Sequence, residues 1–227
     1  MILRLSELPA LLGPTEYGGK VPARFLYLAP DAAASLLDLD RKAGGLIYTD
    51  LFRDAHGQLI AHRAKPDSTQ PVGWSAHGYG LSIDLDLSAT QIRLKLTYVE
   101  LVELMGSAGW CCHRRDLDSS GSESWHWNYL GPNAARYLAA AQPVMDHRTW
   151  SHPVEMRIQE RYGQDFRLSA LDIQAALEAL KLHAVRDFQA AWGLTVDGVA
   201  GPKTQRTLSY VSATTIYEPP AREGLFS

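Results

Sequence analysis

The sequence predicts an α+β protein: a domain with few strands, followed by a small all-α module. Three observations carry this. Leu81-Ser82-Ile83-Asp84-Leu85-Asp86-Leu87 alternates apolar and polar residues with the period of a half-buried strand. Residues 31–43 and 98–105 space their apolar residues as helices do. Beyond Tyr129 the character turns helical, with an alanine-rich run at 133–141 and an amphipathic pattern from Leu168 to Leu182. A chain of 227 residues is long enough for one full core and a smaller module, and 46% hydrophobic with 21% charged residues is an ordinary globular composition. Pro143 and the polar stretch around Pro153 place the boundary between 145 and 152, giving a domain over 1–148, a helical module over 149–212 and a loose tail over 213–227.

The first helix runs from Asp31 to Ala43 and stops at Gly44-Gly45. An extended segment, Leu46 to Arg53, follows, and a short helix over 55–64 carries Gln58. Residues 66–73, rich in Pro, Asp, Ser and Gly, form a loop that delivers the chain to His77. Gly78 and Gly80 mark a turn, and the strand after it aligns Ser82, Asp84 and Asp86 on one face. A helix over 98–105 ends near Gly106. In the final region Gly193 caps the helix from Ala184, Asp197-Gly198 makes a turn, and Gly201-Pro202 opens the last helix.

Ser75 to Asp84 and Glu123 to Trp127 together offer two imidazoles and a carboxylate as ligands, plus a second carboxylate as base. A hydrolytic zinc takes three protein ligands and holds, in its fourth position, a water whose pKa falls to about 7. His77, Asp84 and His126 can supply the three. Amide hydrolysis also needs a group that takes a proton from water and returns one to the departing amine, a role that suits Glu123, three residues before His126. Arg53 offers a fork of donors to a carboxylate or to a developing oxyanion, although an arginine at a strand end is ordinarily a solvated charge. Trp125 and Trp127 flank His126, and one or both could wall a cleft or fill the core.

Other features narrow the function. A net charge of −3 gives no pull toward polyanions, so nucleic acid is not an expected partner. No apolar run is long enough for membrane insertion, and Met1 to Leu8 carries charges where a secretory signal needs an apolar core, so synthesis in the cytoplasm without an export signal is expected, as is a monomer. Adjacent Cα atoms, about 3.8 Å apart, fall short of the roughly 4.4 to 6.8 Å of a disulfide, so Cys111 and Cys112 read as a reduced pair outside the site. Asp116 to Gly121 opens like a calcium loop, but Trp127 stands where a bidentate Glu is required, so a plain turn is expected there.

The pattern of Ser75, His77, Gly80 and Asp84, followed by Glu123-Ser124-Trp125-His126, resembles the M15 zinc peptidases. These include D-alanyl-D-alanine carboxypeptidases, vancomycin-resistance dipeptidases and phage L-alanyl-D-glutamate endopeptidases. The likeness covers residues 30 to 130 or so and includes the extended segment ending in Arg53 with Gln58 five residues on. It implies a small-sheet zinc DD-peptidase-like fold, one Zn²⁺ on His77, Asp84 and His126, Glu123 as base, and Arg53 near the scissile carbonyl or a substrate carboxylate. Gln58, Ser75 and Trp125 would be substrate-binding. Two positions depart from the family: Asp50 stands in place of a small residue, and Ser82 in place of alanine. Phe188-Gln189, Val196-Asp197-Gly198 and Gly201-Pro202-Lys203-Thr204 resemble the C-terminal part of a three-helix peptidoglycan-binding module, mostly in residues that specify turns and core. The two resemblances imply a peptidoglycan-cleaving enzyme held to the wall by a binding module, of the kind a phage endolysin accumulates inside the host and releases through a membrane lesion. A D-alanyl-D-alanine carboxypeptidase, or a wall-binding protein with an inert metal site, are the alternatives.

Overall fold

The computed structural model describes residues 1–13, 19–67, 69–112, 123–141 and 152–218. Strand β1 (Ile2–Glu7) and the short β2 (Tyr27–Leu28) precede helix α1 (Pro30–Ala43) and β3 (Tyr48–Asp50). Helix α2 (Ala55–Ala64), a 3₁₀ turn over Ala76–Tyr79, and β4 (Ser82–Leu85) follow. Helices α3 (Leu87–Leu94) and α4 (Tyr98–Ser107) lead to β5 (Trp110–Cys112), β6 (His126–Tyr129) and α5 (Ala134–Ala141). The chain continues through α6 (His152–Tyr162), α7 (Ala170–Ala179), α8 (Val185–Ala191), α9 (Pro202–Val211) and β7 (Thr214–Glu218). The α+β class expected from the sequence is the observed one.

The central sheet has four strands in the order β3-β4-β6-β5, all antiparallel. Its β4–β6 register sets Asp84 opposite His126 and Ile83 opposite Trp127. Because side chains alternate across a strand, Asp84 and His126 project to one face while Ile83 and Trp127, both fully buried, enter the core with Tyr48, Leu36 and Trp110. Local signals end the helices where the sequence puts them. Gly44 closes α1 with φ of 92°, the Asp54 side chain caps α2 by accepting from Gly57 N–H, and Thr97 with Glu100 forms a capping box on α4.

The structure corrects several expectations. Asp86 leaves the alternating face and caps α3, its carboxylate accepting from Ala89 N–H at 2.9 Å. Regular strand ends at Asp50, so Arg53 lies in the link to α2. Thr214–Glu218, read from the sequence as part of a loose tail, is instead a strand paired in parallel with β1, Ile2 opposite Thr214 through Ser6 opposite Glu218. Pro153, read as part of a polar break, lies in the first turn of helix α6, where its missing N–H costs no hydrogen bond. Val154, Ile158 and Tyr162 of α6 join the main core, so a separate small core begins only beyond them, built from Leu177, Phe188, Leu194 and Leu208.

Within that small core the buried Gln189 amide organises the turn. It donates to Asp197 Oδ1 at 2.7 Å and to the Val199 carbonyl at 3.1 Å, and its carbonyl accepts from Gly198 N–H at 2.8 Å. The Phe-Gln and Asp-Gly positions therefore specify the turn, as expected.

Gly80 ends the 3₁₀ turn with φ of 65°, and a Cβ there would lie 2.5 Å from Ala29 N and 2.9 Å from the Leu28 carbonyl carbon. A side chain at this point meets both left-handed strain and a backbone clash. Gly80→Ala should lower unfolding free energy by about 2–4 kcal/mol in urea titration; a loss below about 0.5 kcal/mol would contradict this packing.

Candidate metal centre

Three elements converge on one point. The 3₁₀ turn brings His77, β4 brings Asp84, and β6 brings His126. His126 Nδ1 lies 2.8 Å from Asp84 Oδ1 and 3.2 Å from His77 Nε2, and His77 Nε2 lies 3.4 Å from Asp84 Oδ1. A tetrahedral ion with bonds of about 2.0–2.2 Å holds its ligand atoms roughly 3.3–3.5 Å apart, so these donors fit one small divalent ion. Among the described residues this is the one cluster of three or more His, Cys, Asp or Glu side chains arranged to hold a metal.

The remaining ring nitrogens are already used, which selects the atoms that face the ion. His77 Nδ1 lies 2.5 Å from the Leu51 carbonyl, an acceptor, so Nδ1 carries the proton and Nε2 is left with its lone pair. His126 Nε2 lies 3.1 Å from Asn128 Oδ1, which leaves Nδ1 for the ion. Asn128 is itself held by Ser82, whose hydroxyl donates to the same Oδ1 at 2.5 Å. Ser82 thus fixes the side chain that orients the His126 ring.

Without an ion, the electrostatics are those of a shared proton. Burial pushes the His77 pKa down, but the charge and hydrogen bond of Asp84, helped by Asp50 and opposed by Arg53, leave it raised. Burial pushes Asp84 up, and the two imidazoles outweigh it, so its pKa lies well below the usual carboxylate range.

Beside this cluster sits a second one. Arg53 donates from Nε to Asp50 Oδ2 at 3.1 Å, pairs with the same oxygen through Nη2, and donates from Nη1 to Gln58 Oε1 at 2.9 Å. Its backbone N–H reaches the His77 carbonyl at 3.4 Å. Gln58 is buried and donates onward to the Gln70 carbonyl, so it stands behind the arginine and orients it. Asp50, the other departure from the family pattern, is the arginine's counter-ion, and its Oδ1 is buried without a hydrogen-bond partner.

Ser75 is buried at the start of the 3₁₀ turn. Glu123 opens the turn into β6 with φ of 41°, an uncommon conformation for a residue with a side chain, and its carbonyl accepts from His126 N–H at 2.9 Å. The segment is a turn, which fixes the spacing between base candidate and ligand. Trp127 is core, whereas Trp125 is 43% exposed, so only Trp125 is available to line a cleft. Cys111 and Cys112 lie on β5 as reduced thiols, not joined in a disulfide. The roles of Asn128 and Asp50 were not anticipated from the sequence. Asn128 lies two residues from His126 on the same strand face, and that spacing could have pointed to it. The calcium-like opening at 116–121 lies outside the described residues.

Residues 182–208 match the family described as a putative peptidoglycan binding domain. No curated protein matches the chain. Among solved structures, the chain is similar to that reported under "Structure of the LdcB LD-carboxypeptidase reveals the molecular basis of peptidoglycan recognition", at 15% identity over 61% of this chain and 73% of that one, with a TM-score of 0.44. Among the described residues no helix is long and apolar enough to cross a membrane.

Two outcomes follow from the geometry. Asn128→Ala should weaken metal binding about 10- to 100-fold in chelator competition, because the His126 ring loses its anchor; unchanged affinity would contradict the relay. In metal-free protein, the depressed Asp84 pKa contributes stability above about pH 4 that is lost as pH falls, and the raised His77 pKa contributes stability below about pH 6.5 that is lost as pH rises through the folded value. Urea titrations in EDTA should show maximal stability between those limits, and Asp84→Asn should flatten both flanks.

Proposed function

We propose that the protein is a zinc-dependent peptidoglycan hydrolase of the M15 type that cuts an internal amide of the stem peptide, such as the L-alanyl-D-glutamate bond. The observation that carries this reading is the convergence of His77, Asp84 and His126 within bonding reach of one ion. The match of residues 182–208 to a peptidoglycan-binding family supports the substrate class. A bound zinc would supply Lewis acidity, polarising the carbonyl and acidifying the attacking water.

The chain's own residues do the rest. Glu123 accepts a proton from water as its oxygen bonds to the carbonyl carbon, and then delivers that proton to the amine as the C–N bond breaks. Arg53, held in place by Asp50 and Gln58, presents its guanidinium to the charge that develops on the carbonyl oxygen. Trp125 offers an exposed aromatic face to the substrate.

The Asp50–Arg53 pair favours an endopeptidase over a D-alanine carboxypeptidase. A free terminal carboxylate would meet a guanidinium whose charge Asp50 already balances and which has two of its five N–H donors left, one on each terminal nitrogen. An internal amide asks only for stabilisation of a transient oxyanion. A role in lysis of a bacterial host belongs to this reading as its physiological setting.

Muropeptides digested with the zinc-loaded protein and weighed by mass spectrometry should show cleavage within the stem, with a new amino terminus on the released peptide. Loss of single D-alanine units would instead support the carboxypeptidase, and no cleavage at all the inert wall-binding protein. Glu123→Ala should lower turnover by about 10²- to 10⁴-fold while zinc stays bound.

A further inference from the structure

The turn that carries His77 is held from behind by the last helix of the chain. Three points on the segment 72–78 present backbone carbonyls to α9: Thr207 Oγ1 donates to Val72 at 2.9 Å, Arg206 Nε to Gly73 at 2.6 Å, and the Tyr210 hydroxyl to Gly78 at 2.8 Å. All three side chains are buried. Gly78 follows His77 directly, and a Cβ there would lie 2.5 Å from the Tyr210 oxygen, so the two surfaces are in full contact.

The contact is specific in charge as well as shape. Arg206 is 1% exposed, pairs with Glu155 of α6 through both terminal nitrogens, and lies over the Trp74 ring at 4.1 Å and the Phe166 ring at 4.8 Å. A buried guanidinium is tolerated only where its donors are satisfied, and here they are satisfied by the metal-bearing segment and by α6. Burial holds the Tyr210 phenol neutral, so it keeps the proton it donates to Gly78. Arg206 and Thr207 fall inside the stretch that matches the peptidoglycan-binding family, yet their side chains face the metal-bearing domain.

We infer that helix α9 is a brace for the metal-binding turn, with Tyr210, Arg206 and Thr207 acting as positioning residues for His77. On this view the C-terminal helices are part of the scaffold of the site as well as a wall-binding element, and the metal site is not separable from them. The inference rests on His77 being a metal ligand.

Cobalt(II) titration of the full chain, followed by its visible absorption, tests this with a readout that tracks ligand geometry. Tyr210→Phe, which keeps the ring and removes the donor, should weaken cobalt binding about tenfold and shift the band, by analogy with loss of an outer partner of a ligand. Thr207→Val should act in the same direction and carries the test if Tyr210→Phe does not fold. Leu177→Ala, in the small core and away from the turn, should leave affinity and band unchanged. Wild-type affinity and band in both hydroxyl variants, or an equal loss in Leu177→Ala, would overturn the inference. Wild-type protein that takes up no cobalt would sink the metal reading beneath it.

Discussion

A carboxylate with little exposure, set between two imidazoles, is the constraint around which the rest of this structure is arranged. Asp84 and His126 face each other across antiparallel strands, and His77 completes the group from a tight turn. Such a cluster is costly to bury unless a proton or a cation is shared among its members. A slip of one residue in the β4–β6 register would turn Asp84 or His126 into the core, so packing of Ile83 and Trp127 on the opposite face fixes the site as firmly as it fixes the sheet.

Around that cluster each neighbour removes one degree of freedom. The Leu51 carbonyl and Asn128 each engage the outer nitrogen of a histidine, which leaves the inner nitrogens with their lone pairs. Arg53 is bound to its surroundings through its side chain on Asp50 and Gln58 and through its backbone on His77. The turn beneath His77 rests on α9, and β7 beyond α9 pairs with β1 at the other end of the chain.

What the sequence made legible was local. Helix limits followed from Gly44, Gly193 and Gly201-Pro202, whose effects act within a turn or two. The three donors were legible through the residues around them and the motif they resemble, since the spacing of His77 and Asp84 alone is weak, and the structure brings all three together. What stayed hidden depends on distant partners. The parallel pairing of β1 with β7 joins opposite ends of the chain and leaves no periodic mark near either. Pro153 looked like a break because its place in the first turn of α6 was not visible from its neighbours. Asp50 read as a departure from a pattern, and its pairing with Arg53 emerged only once the link to α2 folded back on β3. Buried Arg206 could not be told from a surface charge on a helix without its partners in α6 and the Gly73 turn.

The proposed chemistry requires one divalent ion among His77, Asp84 and His126, with a position left open to water. X-ray absorption at the zinc edge on protein loaded with one equivalent tests it directly. The expected result is a four-coordinate ion with two imidazole nitrogens and two oxygens at about 2.0–2.2 Å, one of the oxygens exchangeable solvent. A spectrum requiring sulfur at about 2.3 Å, a shell filled entirely by protein, or no retained zinc would contradict it.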